Sequence, residues 1–85
     1  MTLGASYPNP AHEAVSIPFT LAERVPVTLR LYDVLGREVR TLFTGVASPG
    51  EYIANLSAGA LTPGTYYYKL SAPSYLVTRS LVIVR

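Results

Sequence analysis

Apolar and polar side chains alternate through most of this chain with a period of two, the spacing of a strand that buries one face. Val15-Ser16-Ile17-Pro18-Phe19-Thr20-Leu21 puts Val15, Ile17, Phe19 and Leu21 on one side. Pro18 has the opposite parity and no N–H, so this is an edge strand or one whose N–H side goes unpaired there. Val27-Thr28-Leu29-Arg30-Leu31-Tyr32 repeats the pattern, with Val27, Leu29 and Leu31 inward. Glu38 to Phe43 reads as its returning partner, and a slip in parity predicts a bulge before Leu42 or Phe43. Glu51 to Leu56 places Tyr52, Ala54 and Leu56 together. Gly64-Thr65-Tyr66-Tyr67-Tyr68-Lys69-Leu70 gives the strongest strand signal, with Tyr66, Tyr68 and Leu70 on one face. The last strand, Leu76 to Val84, is apolar on both faces near its end, which predicts a central position in its sheet.

The segments between these runs are built for turning. Tyr7-Pro8-Asn9-Pro10 is a stiff, extended entry, because each Pro fixes its own φ and biases its predecessor towards extended geometry. Asp33-Val34-Leu35-Gly36-Arg37 closes a hairpin, with a positive φ expected at Gly36 and the Asp33 carboxylate bonding the turn backbone. Thr44 to Gly50 reads as a loop, Ser57 to Pro63 as a longer connection with Leu61 plugged beneath it, and Ala72 to Tyr75 as a turn. Seven Pro and six Gly in 85 residues leave no window for a long helix. The pattern predicts an all-β protein, an immunoglobulin-like antiparallel sandwich of about seven strands in a Greek key. Leu29, Leu31, Tyr66, Tyr68, Leu81 and Ile83 are expected in its core. A short strand at residues 3–7 would be the seventh. Residues 1–6 otherwise read as a linker or an expression start, leaving residues 7–85 as the domain.

Composition supports folding, at 49% hydrophobic against 14% charged residues. Its net charge of +2 is spread without runs, which argues against nucleic acid or an anionic membrane as main partner. The longest apolar runs are far shorter than the ~20 residues of a membrane helix. The first residues lack the basic and apolar regions of a signal peptide.

Catalytic chemistry finds little to work with. Without Cys there is no disulfide framework or thiolate metal site. His12 is the sole histidine and Glu13 its only nearby carboxylate, so metal ligation and acid–base work lack partners, and His12 reads as an exposed loop residue. Turn chemistry accounts for Asp33. There is no nucleophile elbow, phosphate-binding glycine loop or carboxylate pair. No cofactor is expected, and the chain is read as a non-enzyme. Asn55-Leu56-Ser57 matches a glycosylation sequon but lies within an expected strand. Tyr32 and Tyr67 share outward parity with Arg30 and Lys69, as on a half-exposed sheet face with aromatic and cationic cross-strand pairs.

Four motifs occur in order: Tyr7-Pro8-Asn9-Pro10, Leu31-Tyr32-Asp33-Val34-Leu35-Gly36-Arg37-Glu38-Val39, Gly64-Thr65-Tyr66-Tyr67-Tyr68-Lys69-Leu70, and a Val-rich last strand ending in Arg85. In this the chain resembles the type A C-terminal sorting domain of type IX (Por) secretion cargo from Bacteroidetes-like bacteria. It is also similar to the immunoglobulin-like domain of the flagellar hook-capping protein. Tyr52 and Ala54 stand where the family often has His and Val, and Arg85 where it usually has Lys. The resemblance implies a domain at the end of a larger cargo protein, read by the outer-membrane translocon during transit through the periplasm. It implies removal near Tyr7 by a sortase-like peptidase, with the cargo released or left on the cell surface. The recognised surface is expected on the last strand, at Leu81, Ile83 and Arg85, or on the Gly64–Leu70 strand, at Gly64, Tyr66 and Lys69. Pro8, Asn9, Pro10, Asp33 and Gly36 are expected to be structural. Two other functions suit the same fold: a carbohydrate-binding module using the outward Tyr and Arg residues, and a structural spacer.

Overall fold

A computed structural model describes residues 1–84; Arg85 lies outside the described residues. Seven strands form: β1 (Thr2–Leu3), β2 (Ala14–Leu21), β3 (Val25–Tyr32), β4 (Glu38–Ala47), β5 (Gly50–Ser57), β6 (Gly64–Ala72) and β7 (Tyr75–Ile83). They build two antiparallel sheets, β1-β2-β5 and β4-β3-β6-β7. Consecutive strands β2 and β3 lie in different sheets, and each takes a neighbour three strands onward, β5 and β6 respectively. This interlocking makes the sandwich a Greek key of immunoglobulin type. The described residues contain no helix.

The alternation predicted from sequence sets the core. Ile17 and Phe19 face Leu29, Leu31, Tyr68, Leu70, Leu81 and Ile83 across the interior, each at most 2% exposed. Phe19 also closes one side of the sandwich, stacking on Tyr52 at 5.2 Å and meeting Phe43 edge-on at 5.8 Å. Three aromatics thus tie β2, β4 and β5 together where the two sheets separate. Leu61 is buried beneath the β5–β6 connection, as expected. Tyr66, near the start of β6, donates its hydroxyl to the Thr62 carbonyl at 2.6 Å. This is the tyrosine corner of immunoglobulin-like folds.

Local details follow from residue chemistry. Along β3–β4 the register breaks between Leu29/Arg30 and between Leu31/Tyr32. At the first break Leu42 is the extra residue, where the parity slip predicts a bulge. In the β3–β4 turn Gly36 takes φ 82. Asp33 Oδ1 accepts the N–H groups of Leu35 (2.9 Å) and Arg37 (3.0 Å), and Oδ2 accepts Arg37 Nε at 2.9 Å. Pro18 lies inside β2, and its carbonyl accepts the Gly4 N–H at 2.8 Å. Its missing N–H therefore faces the edge followed by the N-terminal segment and not β5, which is how a central strand tolerates it.

Three sequence expectations need correction. The stretch from Thr44 to Gly50 is mostly strand: β4 runs on to Ala47, opposite Val25, and only Ser48 and Pro49 connect it to β5. Gly45 permits this, because its φ of 141 is open to glycine and strained for side chains. β7 is an edge strand, with β6 as its one neighbour among the described strands, and its apolar outer-face residues Leu76 and Val82 are 64% and 37% exposed. Finally, residues 1–6 pack into the fold. Thr2 and Leu3 pair with Thr20 and Phe19, and Leu3 and Ser6 are each 5% exposed.

Candidate functional site

The N-terminal segment works as a strap that changes sheets. Residues 2–7 follow the outer edge of β2, ending in a bridge between Tyr7 and Ser16. The chain then crosses to β7, where Ala11 bridges Ile83 in parallel. The Ala11 N–H donates to the Val82 carbonyl and the Val84 N–H to the Ala11 carbonyl, both at 2.8 Å. Asn9 Oδ1 accepts the Val82 N–H at 3.0 Å. Pro8 and Pro10 flank Asn9, lack donors of their own and suit a segment held at an edge. Tyr68 clamps the strap from within: its hydroxyl accepts the Ser6 N–H and donates to the Gly4 carbonyl, both at 2.9 Å.

The strap covers only one end of β7. Val82 turns its N–H and carbonyl outward to meet it, and β6–β7 keeps one unbroken register from Gly64↔Ile83 to Ala72↔Tyr75. In an antiparallel ladder every second residue bonds away from its partner, so Ser80 and Thr78 also aim N–H and C=O outward. Among the described residues nothing pairs with them. Beside them lies an open groove of about 570 Å³, with Ala5, Ser6 and Asn9 on one wall and Thr78, Arg79 and Ser80 on the other. Arg79 reaches the Leu3 carbonyl at 3.4 Å. The Ser6 hydroxyl is buried without a partner.

On the outer face of the same sheet, the Lys69 ammonium sits 4.9 Å from the centre of the Tyr32 ring. Arg30, opposite Lys69, pairs with Glu38 at 3.5 Å, which offsets the like-charge neighbour. Tyr67 stands beside them, 40% exposed. The Asp33 carboxyl at this face is held below its ordinary pKa, first by the Arg37 backbone N–H, against opposing desolvation, and then by the Arg37 guanidinium and the Leu35 N–H.

The residues singled out from sequence separate into two groups. Tyr66, Leu81 and Ile83 are buried at 5% or less, on the inner face of β6 and β7. Gly64 is exposed at the start of β6, opposite Ile83, and Lys69 is half-buried on the outer face. Arg85 lies outside the described residues. Sequence reasoning missed Thr78, Arg79 and Ser80, which carry the open edge, and Ser6, which was set aside with the linker. The weak signal for them was the polar run Thr78-Arg79-Ser80 inside an otherwise apolar strand. No group of three or more His, Asp or Glu gathers among the described residues.

The chain is an immunoglobulin-like sandwich with one strapped edge. Residues 5–84 match the secretion system C-terminal sorting domain, so the chain belongs to that family. No curated protein matches it. The domain is therefore a sorting signal for type IX cargo, serving export to the cell surface or secretion, and its family is not catalytic.

Proposed function

We propose that the β6–β7 hairpin is the part of this domain that the outer-membrane translocon reads. The observation carrying this reading is that β7 is a sheet edge, half covered by the strap and half open, next to a sheet face bearing Lys69 and Tyr67. Tyr66, Leu81 and Ile83 contribute from inside, by fixing where the two strands lie. Gly64 and Lys69 contribute from outside, through backbone access and positive charge, and Arg85 supplies a further cation. The cargo precedes the domain, passes through the periplasm with it and crosses the outer membrane. A sortase-like peptidase then separates them near Tyr7, leaving the cargo free or on the surface. The isolated domain itself hydrolyses nothing.

The strap bears on that cleavage. Ser6 is buried and tied to Tyr68, and Tyr7 is bridged to Ser16, so a peptidase reaches the bond between them only after the strap lifts. Cutting there also removes Leu3 from the core. Export of a reporter fused to the wild-type chain, to Lys69→Glu and to Arg85→Glu tests the reading. Lys69 is a half-exposed charge on the outer face, so reversing it should leave the fold intact. The charge-reversed fusions should stay in the periplasm while still folded. Equal export of all three would place recognition away from this hairpin.

A further inference from the structure

We propose that the open half of the β7 edge is a strand-acceptor site, taking an extended peptide segment that carries a carboxylate. The inference rests on the edge geometry and goes beyond the export reading. The strap already demonstrates the mode of binding, since Asn9 and Ala11 satisfy the outward groups of Val82 and Val84. It then leaves for β2 at Tyr7, and the row it vacates, alongside Thr78 and Ser80, is the groove. An added strand in that row meets outward N–H and C=O groups already spaced for a ladder.

Charge selects the occupant. Among the described residues Arg79 is the one ionised side chain of the groove walls, and no carboxylate lines it. A Glu or Asp on the incoming strand, directly opposite Arg79, gains a charge-assisted bond. A second copy of this chain fits less well, because β7 paired with itself about Arg79 sets two guanidinium groups together. The other long edges are guarded: β4 is interrupted twice and carries Glu38 and Arg40, and β5 carries Glu51, which repels a carboxylate.

The probe is a synthetic capped peptide, Thr-Val-Glu-Val-Thr, with Thr-Val-Lys-Val-Thr as its counterpart, titrated into the isotope-labelled 85-residue chain. Amide shifts should concentrate at Thr78 to Ser80 and at Ser6. The Glu peptide should bind roughly tenfold more tightly than the Lys peptide, as one charge-assisted bond predicts. Arg79→Glu should reverse that preference. Thr78→Pro removes an outward N–H without touching the β6 ladder, and should abolish binding while the amide spectrum stays folded. If Thr78→Pro unfolds the domain, the Arg79→Glu reversal decides alone. Shifts confined to β5, equal binding of the two peptides, or concentration-dependent broadening at β7 without peptide would each overturn the proposal. The last of these would assign the edge to a second copy.

Discussion

Replacing Tyr68 with Phe removes a single oxygen from the centre of the molecule and should release the strap. The ring is 0% exposed and would keep its packing, so the transfer and cavity costs of a large-to-small change do not arise. What is lost is a two-sided hydrogen bond: the hydroxyl accepts from Ser6 N–H and donates to Gly4 C=O, at 2.9 Å each. Ser6 is 5% exposed, so water cannot readily replace the lost acceptor. A buried donor left unpaired costs about 1–3 kcal/mol. An 85-residue domain holds about 4–13 kcal/mol in total. At about 4–8 °C per kcal/mol, a loss near 2 kcal/mol lowers the melting temperature by about 8–16 °C. Thermal unfolding followed by circular dichroism gives the shift, and amide hydrogen exchange locates it. Gly4, Ser6 and Tyr7 should lose protection well before the centre of β3 and β6. Unchanged melting together with unchanged exchange at these three amides would refute the clamp.

Other expectations follow from neighbouring features. Tyr66→Phe should cost less, about 0.5–1.5 kcal/mol, because Thr62 is exposed and water can take over its carbonyl; a loss as large as that of Tyr68→Phe in a denaturant titration would contradict this. Leu29→Ala, at a fully buried site, should cost about 2–5 kcal/mol, and an unchanged melting temperature would show that β3 is misread. The Asp33 carboxyl has a depressed folded pKa, so its contribution is complete above the ordinary carboxylate range and fades as pH falls through the folded value. Hydrogen exchange at Leu35 and Arg37 should quicken in acid for the wild type, and Asp33→Asn should flatten that dependence. Purified protein should turn over no ester, glycoside or peptide, and activity abolished by a point change within the domain would disprove this.

Local chemistry made much of the fold legible. Val15 to Leu21, Val27 to Leu31 and Tyr66 to Leu70 alternate cleanly, and each alternation survives as a buried face. The Asp33–Gly36 turn and the bulge at Leu42 likewise depend on residues within a few positions of one another. What stayed hidden depends on contacts far apart in sequence. Val82 looks like a central-strand residue, yet its N–H is satisfied by Asn9, 73 residues away. Leu3 belongs to a two-residue strand, too short to show a period. Tyr68 could be placed in the core by parity, whereas its role as a clamp requires Gly4, 64 residues distant. The open edge was hidden for the same reason. Its existence depends on where the strap leaves β7, and Thr78, Arg79 and Ser80 alone give only a polar break in an apolar run.

The central claim is that this domain is a type IX sorting signal, and export is its most direct measurement. The whole chain, including Leu3 and the strap, is fused behind a periplasmically stable reporter in a bacterium that owns a type IX system. A parallel fusion carries Leu29→Ala together with Leu31→Ala, which should unfold the sandwich. The account predicts that the wild-type fusion delivers the reporter to the cell surface or the medium and that the unfolded fusion leaves it in the periplasm. A wild-type fusion that is folded, intact and still retained in the periplasm would contradict it.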